Sequence, residues 1–232
     1  MAGGPFVLGY DFGTSALKAA LFDSEGQIVA SASEALRLLL PAPGWAEQRP
    51  EDWWTAMAAV TRRVLAEAGA SADSVQALGL AAQMCGVVPV DVNGAALSDC
   101  LIWLDMRSSE IAKREFGGPV AGYAPFDLAR WLRYTGGAPN LSGKDPPTKM
   151  IWLRERMPEV WARTHKLLDV KDYLLHRCTG RFVTSYDCAH LTWLFDGRAG
   201  HKHWSPKLLG RLGLDIEMLP EVAAATDVAG GL

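Results

Sequence analysis

The chain has 232 residues, 49% of them hydrophobic, which is enough to bury a core and too apolar for a disordered tail. Lysine and arginine total 23 against 26 acidic residues, and the net charge of −3 argues against an electrostatic nucleic-acid binder, which needs a basic excess. No apolar run reaches the roughly 18 residues of a membrane span, and no basic residue precedes the first apolar stretch after Met1–Pro5, so a cytoplasmic globular protein without a secretory signal is expected.

Phe6–Tyr10 reads as a short apolar strand, interrupted by Asp11-Phe12-Gly13-Thr14-Ser15. Ala16–Phe22 resumes as a second strand, Asp23-Ser24-Glu25-Gly26 makes a turn, and Gln27–Ala35 is a third strand. Two tight connections make these strands an antiparallel meander. Pro50-Glu51-Asp52 opens a helix, Trp53, Met57, Val60, Val64 and Ala68 recur at helical spacing, and Gly69 stops it. The almost wholly apolar Val75–Ala81 predicts a strand buried on both faces. Val87–Val90 and Ala96–Trp103 predict further strands around an Asp91–Gly94 turn. From Asp105 onward helices are expected at 106–116, 125–134, 147–156 and 158–164, then a short strand at Leu167–Val170 and helices at Lys171–Cys178 and Ser205–Leu212. The order predicts an α/β domain with a mixed sheet flanked by helices.

Cys85, Cys100, Cys178 and Cys188 contain no CxxC pair, so four reduced, mostly buried thiols are expected rather than a zinc framework. His201 and His203 form an isolated HxH beside Trp204 and read as a solvated loop. Indole faces can stack on sugars, but the large apolar area of tryptophan makes core packing the default reading of the nine tryptophans.

The stretch Leu8–Lys18 carries the most chemistry. An acid at a strand end enters a turn with a small residue and two hydroxyls. Such a turn can aim backbone N–H groups and the Thr14 hydroxyl at a phosphate, with Asp11 placed for a magnesium ion. By itself the pattern is equally an ordinary β-turn.

Six ordered blocks extend it: Gly9-Tyr10-Asp11-Phe12-Gly13-Thr14-Ser15, Trp45–Trp54, Ala77–Met84, Leu101–Arg107, Thr148–Leu153 and Lys171–Leu174. In order and spacing the chain resembles the N-terminal domain of the FGGY carbohydrate kinases, most closely the xylulokinase-like branch. The resemblance implies a ribonuclease H-like domain of the actin/hexokinase ATPase type. It also implies transfer of the γ-phosphate of ATP, with Mg2+, to a hydroxyl of a small sugar or polyol, a pentulose such as xylulose first. Carried over by position, Asp11 would approach the metal, and Gly13, Thr14 and Ser15 would form the phosphate-facing hairpin. Lys18 is either a phosphate contact or a solvated strand lysine. Gln83, Met84, Cys85, Trp103 and Asp105 would face the sugar, while Trp53, Trp54, Trp152 and Trp161 are packing residues.

The chain departs from that pattern in places. Xylulokinases read Gln-Met-His-Gly where this chain has Gln83-Met84-Cys85-Gly86, and a thiol is a poorer donor than an imidazole. The family's catalytic aspartate, in a Gly-Asp-Asn/Gln motif that opens the second domain, has no counterpart before Leu232. Residues 1–232 are therefore expected to be the sugar-binding half of a kinase, inactive without its C-terminal nucleotide-binding domain. The face which that domain covers would promote self-association. The alternative is a non-catalytic sugar-binding or regulatory module of the same fold. A ribonuclease H-like nuclease would need a carboxylate cluster for two metals, and only Asp11 is well placed.

Overall fold

The computed structural model describes residues 4–231. Met1–Gly3, which belong to the N-terminal stretch expected not to be a secretory signal, and Leu232 lie outside the described residues. In chain order the elements are β1 (Phe6–Phe12), β2 (Ala16–Phe22), β3 (Ile28–Ala35), β4 (Glu47–Gln48), α1 (Pro50–Ala68), β5 (Val75–Ala82), β6 (Val88–Val90) and β7 (Cys100–Leu101). There follow α2 (Ser109–Phe116), β8 (Gly117–Val120), α3 (Pro125–Thr135), α4 (Pro146–Arg156), α5 (Pro158–Arg163), β9 (Lys166–Leu168) and α6 (Val170–Thr179). The last are β10 (Val183–Ser185), α7 (Tyr186–Leu191), β11 (Phe195–Asp196), β12 (His203–Trp204), α8 (Pro206–Leu212) and β13 (Glu221–Ala223). They fall into two compact units, Met1–Leu38 with Arg49–Gln83, and Leu39–Gln48 with Met84–Leu232. Among the described residues no helix is long and apolar enough to cross a membrane.

The first unit is a mixed sheet in the order β3-β2-β1-β5, with α1 against β2 and β3. β1 pairs antiparallel with β2, bringing Asp11 opposite Lys18, and β2 pairs antiparallel with β3. β5 runs parallel to β1, with Gly9 opposite Gly79 and Asp11 opposite Ala81. Alternation along β1 buries Phe6, Leu8, Tyr10 and Phe12 and leaves Val7 and Asp11 exposed. α1 buries Trp53, Met57, Val60 and Val64 on one face, and Gly69 closes it at φ +61°, a conformation that favours glycine. The Tyr10 hydroxyl lies 2.6 Å from Thr61 Oγ1 and ties the strand to the helix.

β5 corrects the expectation of a strand buried on both faces: none of its residues is fully buried. It is the edge of the sheet, paired only with β1 among the described residues.

In the second unit α2, α3, α4 and α8 enclose an apolar core that includes Phe116, Trp131, Ile151, Leu153 and Leu208. Phe116 and Trp131 meet edge to face at 5.0 Å. The strand expected over Ala96–Trp103 shrinks to β7, because its partner β4 is only two residues long. The chain then turns where the Asp105 amide donates to the Ile102 carbonyl at 3.0 Å. α2 starts at Ser109 rather than 106, since the Ser108 hydroxyl is held by the Gly143 carbonyl at 2.8 Å and Thr148 Oγ1 at 2.9 Å. The cysteines are all free, but only Cys100 is fully buried.

Candidate functional site

In the first unit the predicted phosphate hairpin joins β1 to β2. The Gly13 amide donates to the Ala16 carbonyl at 3.0 Å, closing a tight turn. Gly13 is needed for close approach rather than for positive φ: a Cβ there would meet Ala16 O at 3.1 Å. The Gln83 amide donates to the Phe12 carbonyl at 2.7 Å, so the end of β5 continues its ladder with β1. The Thr14 hydroxyl donates to Gln83 Oε1 at 3.2 Å. The hairpin (Gly13, Thr14, Ser15) and the first sugar-side candidate, Gln83, are therefore brought together. Asp11 and Lys18 are exposed and face each other across the β1–β2 pair.

In the second unit Met84 is 50% exposed and Trp103 39% exposed, with Lys144 Nζ 5.8 Å from the Trp103 ring centroid. Both present apolar surface that a sugar's C–H face could cover. Asp105 does not join them. It is 0% exposed; its carboxylate accepts from the Ala46 amide at 2.7 Å and the Arg107 amide at 3.1 Å, and pairs with Arg107 Nη2 at 2.8 Å. Arg107 lies over the rings of Trp45, at 3.8 Å, and Trp152, at 4.9 Å, and also reaches Glu47 at 2.6 Å. Asp105 thus anchors a buried arginine, which corrects its placement beside the sugar.

Cys85 sits at φ +61°, where a side chain is strained by about 1–2 kcal/mol. Two buried charges hold it there. Asp169 accepts from the Cys85 amide at 3.1 Å and the Gly86 amide at 2.9 Å. Lys149 Nζ donates to the Cys85 carbonyl at 2.9 Å and the Ile102 carbonyl at 2.7 Å. Gly86 cannot be larger, because a Cβ would lie 2.9 Å from Val170 Cγ2 and 3.1 Å from Cys100 Sγ. Burial, with Asp169 nearby, pushes the Cys85 thiol up to about 12, so it stays a neutral thiol at physiological pH.

A comparison with known proteins fits this arrangement. The model of the FGGY family of carbohydrate kinases, N-terminal domain, matches residues 6–232. The chain belongs to the FGGY family of carbohydrate kinases. It is 31% identical to a xylulose kinase of Lactococcus lactis over 97% of its own length and 42% of that protein's. It is 37% identical to a glycerol kinase of Rhodopseudomonas palustris over 94% and 43%. Among solved structures, a xyloylose kinase from Brucella ovis superposes with a TM-score of 0.81 at 28% identity, covering 94% of this chain and 43% of that one. The chain spans less than half the length of the relatives it matches.

Sequence reasoning missed the two residues that clamp Cys85 and Gly86 in this FGGY chain. Lys149 and Asp169 lie in or beside the blocks that carry the resemblance, but nothing local marks either as facing Cys85. Asp169 is half legible, since its side chain also forms a capping box with Asp172 at the start of α6.

That pair predicts a pH dependence. Burial raises Asp169 to about 6, partly opposed by the three amides it accepts from, and burial together with Asp169 raises Asp172 to about 7. Unfolded, both ionise near pH 4. Between about pH 4 and 7 the folded state therefore holds protons that the unfolded state has released, and its stability falls as the pH rises. Denaturant unfolding is expected to give roughly 2–4 kcal/mol more stability at pH 5 than at pH 8, a gain reduced in Asp172→Asn. Equal or greater stability at pH 8 would contradict it.

Proposed function

We propose that these residues are the sugar-binding, phosphate-approaching half of an ATP-dependent kinase that phosphorylates a hydroxyl of a small sugar or polyol. The family match over residues 6–232, with a xylulose kinase and a glycerol kinase among the relatives, carries the proposal. The fold is then the ribonuclease H-like type shared with actin and hexokinase, acting in the cytoplasm. A pentulose such as xylulose is the first candidate substrate.

The roles follow from the residues. The Gly13–Ser15 turn approaches the phosphates with backbone N–H groups and with the Thr14 hydroxyl, whose bond to Gln83 couples the hairpin to the acceptor side. The residues present fit a magnesium ion: Asp11 offers one exposed carboxylate at the strand end. Mg2+ keeps several waters and needs only one or two carboxylates beside substrate phosphates. When bound, the ion would neutralise charge on the transferred group. Lys18, opposite Asp11, can add a second cation toward that charge. In the first unit Gln83 is assigned to a hydroxyl of the acceptor; in the second unit Met84 and Trp103 offer apolar surface to a sugar's C–H face, and Cys85 is a neutral thiol. The carboxylate that takes the proton from the attacking hydroxyl is assigned to the part of the longer relatives that this chain does not match.

The chain alone is expected to bind ATP weakly and to turn nothing over. The parent enzyme, assayed with ATP against pentuloses, hexuloses and polyols, is expected to release ADP with at least one of them. Absence of sugar-dependent ADP release across the panel would sink the proposal, as would micromolar ATP affinity for residues 1–232 alone. In the active parent, Trp103→Ala is expected to raise KM for the acceptor about tenfold, with a melting temperature close to the parent's, because the indole is partly exposed.

A further inference from the structure

β11 and β12 form an antiparallel pair in which Phe195 faces Trp204 and Asp196 faces His203. Phe195 and Trp204 are buried and meet edge to face at 6.0 Å, fixing the pair to the core. Strand alternation therefore sends Asp196 and His203 together to the other face. The connecting loop returns His201, with its Nδ1 3.7 Å from Asp196 Oδ2. Donor atoms of Asp196, His201 and His203 all lie within 4.8 Å of one another. Sequence spacing concealed this, because the HxH pair meets its carboxylate only through the strand pairing.

The geometry points to a binding site for one transition-metal dication, Zn2+ first, on Asp196, His201 and His203. His203 is already set for it. Its Nδ1 lies 2.7 Å from the Trp204 carbonyl, which can only accept, so Nδ1 carries the hydrogen and the Nε2 lone pair is left for a metal. Asp196 is oriented by Arg198, whose Nε and Nη2 donate to its carboxylate at 2.9 and 2.7 Å. Tetrahedral zinc with bonds near 2.0–2.1 Å wants donors roughly 3.4 Å apart, and the exposed His201 imidazole can rotate to close that gap. Two imidazoles and one carboxylate suit Zn2+, Ni2+ or Cu2+ rather than Mg2+ or Ca2+, which take oxygen ligands. Arg198 places positive charge beside the donors and makes the site weaker than a structural zinc centre. The site stands apart from the kinase proposal, since no residue is shared.

The test is calorimetry and thermal melting of residues 1–232 under a metal-free reductant, titrated with ZnCl2 and, separately, MgCl2. One equivalent of Zn2+ is expected to bind with a Kd of about 1–100 μM and to raise the melting temperature, with no effect of Mg2+. His203→Gln or His201→Gln should weaken binding about tenfold or more, and Arg198→Gln should strengthen it by removing a competing cation. Both histidines are exposed, so their variants should fold like the parent. No saturable Zn2+ binding below about 1 mM would overturn the inference. Unchanged binding in the double histidine variant would overturn it too, because the metal would then be held elsewhere, as on the thiols; a thiolate charge-transfer band with Co2+ would identify that case.

Discussion

Asp105→Ala is expected to destabilise the protein by about 3–5 kcal/mol, the cost of leaving a buried cation without its partner. Arg107 keeps only 3% side-chain exposure and is packed on the Trp45 and Trp152 rings, so it cannot swing out to water. Glu47 remains as one counter-charge at 2.6 Å, while the Ala46 amide loses its acceptor outright. Asp105→Asn keeps the shape, halves the acceptor capacity and removes the charge, so an intermediate loss is expected. Denaturant midpoints at constant slope measure the effect. A variant as stable as the parent but with lost acceptor affinity in the active enzyme would return Asp105 to the sugar pocket. The contrast with Trp103→Ala separates a residue that holds the frame from one that the proposed function sets against the acceptor.

Asp169→Ala should cost a comparable 3–5 kcal/mol, for a different reason. Its carboxylate collects the Cys85, Gly86 and Val170 amides, the last at 2.7 Å, and caps α6. Lys149, fully buried, would then face the Cys85 and Ile102 carbonyls with one fewer opposing charge. Without its amide acceptor, Cys85 is expected to leave φ +61° and react faster with a disulfide reagent, while Cys100, fully buried, stays protected. Unfolding and thiol labelling together report the two effects. A stability within about 0.5 kcal/mol of the parent and unchanged labelling would remove Asp169 from this role.

What the residues alone disclosed is local. Gly13 and the acid before it marked the β1–β2 hairpin, and Pro50 and Gly69 marked both ends of α1 because proline and glycine act on their own backbone. Six spaced blocks identified the family. Short strands such as β10 to β13 were not legible, since two or three residues hold no period. The exposure of β5 is not legible either, because an apolar run does not say whether it lies at the centre or the edge of a sheet.

Which polar groups meet was left to the tertiary structure. Lys149 reaches a carbonyl 64 positions away and Asp169 an amide 84 positions away. Asp105 left the expected sugar pocket for Arg107 and an amide 59 positions upstream, and Asp196 joined His203 by cross-strand register. Propensity and periodicity act over one turn or one strand. A buried charge is settled by whichever donors the packed core brings within about 3 Å, and only the folded chain decides those.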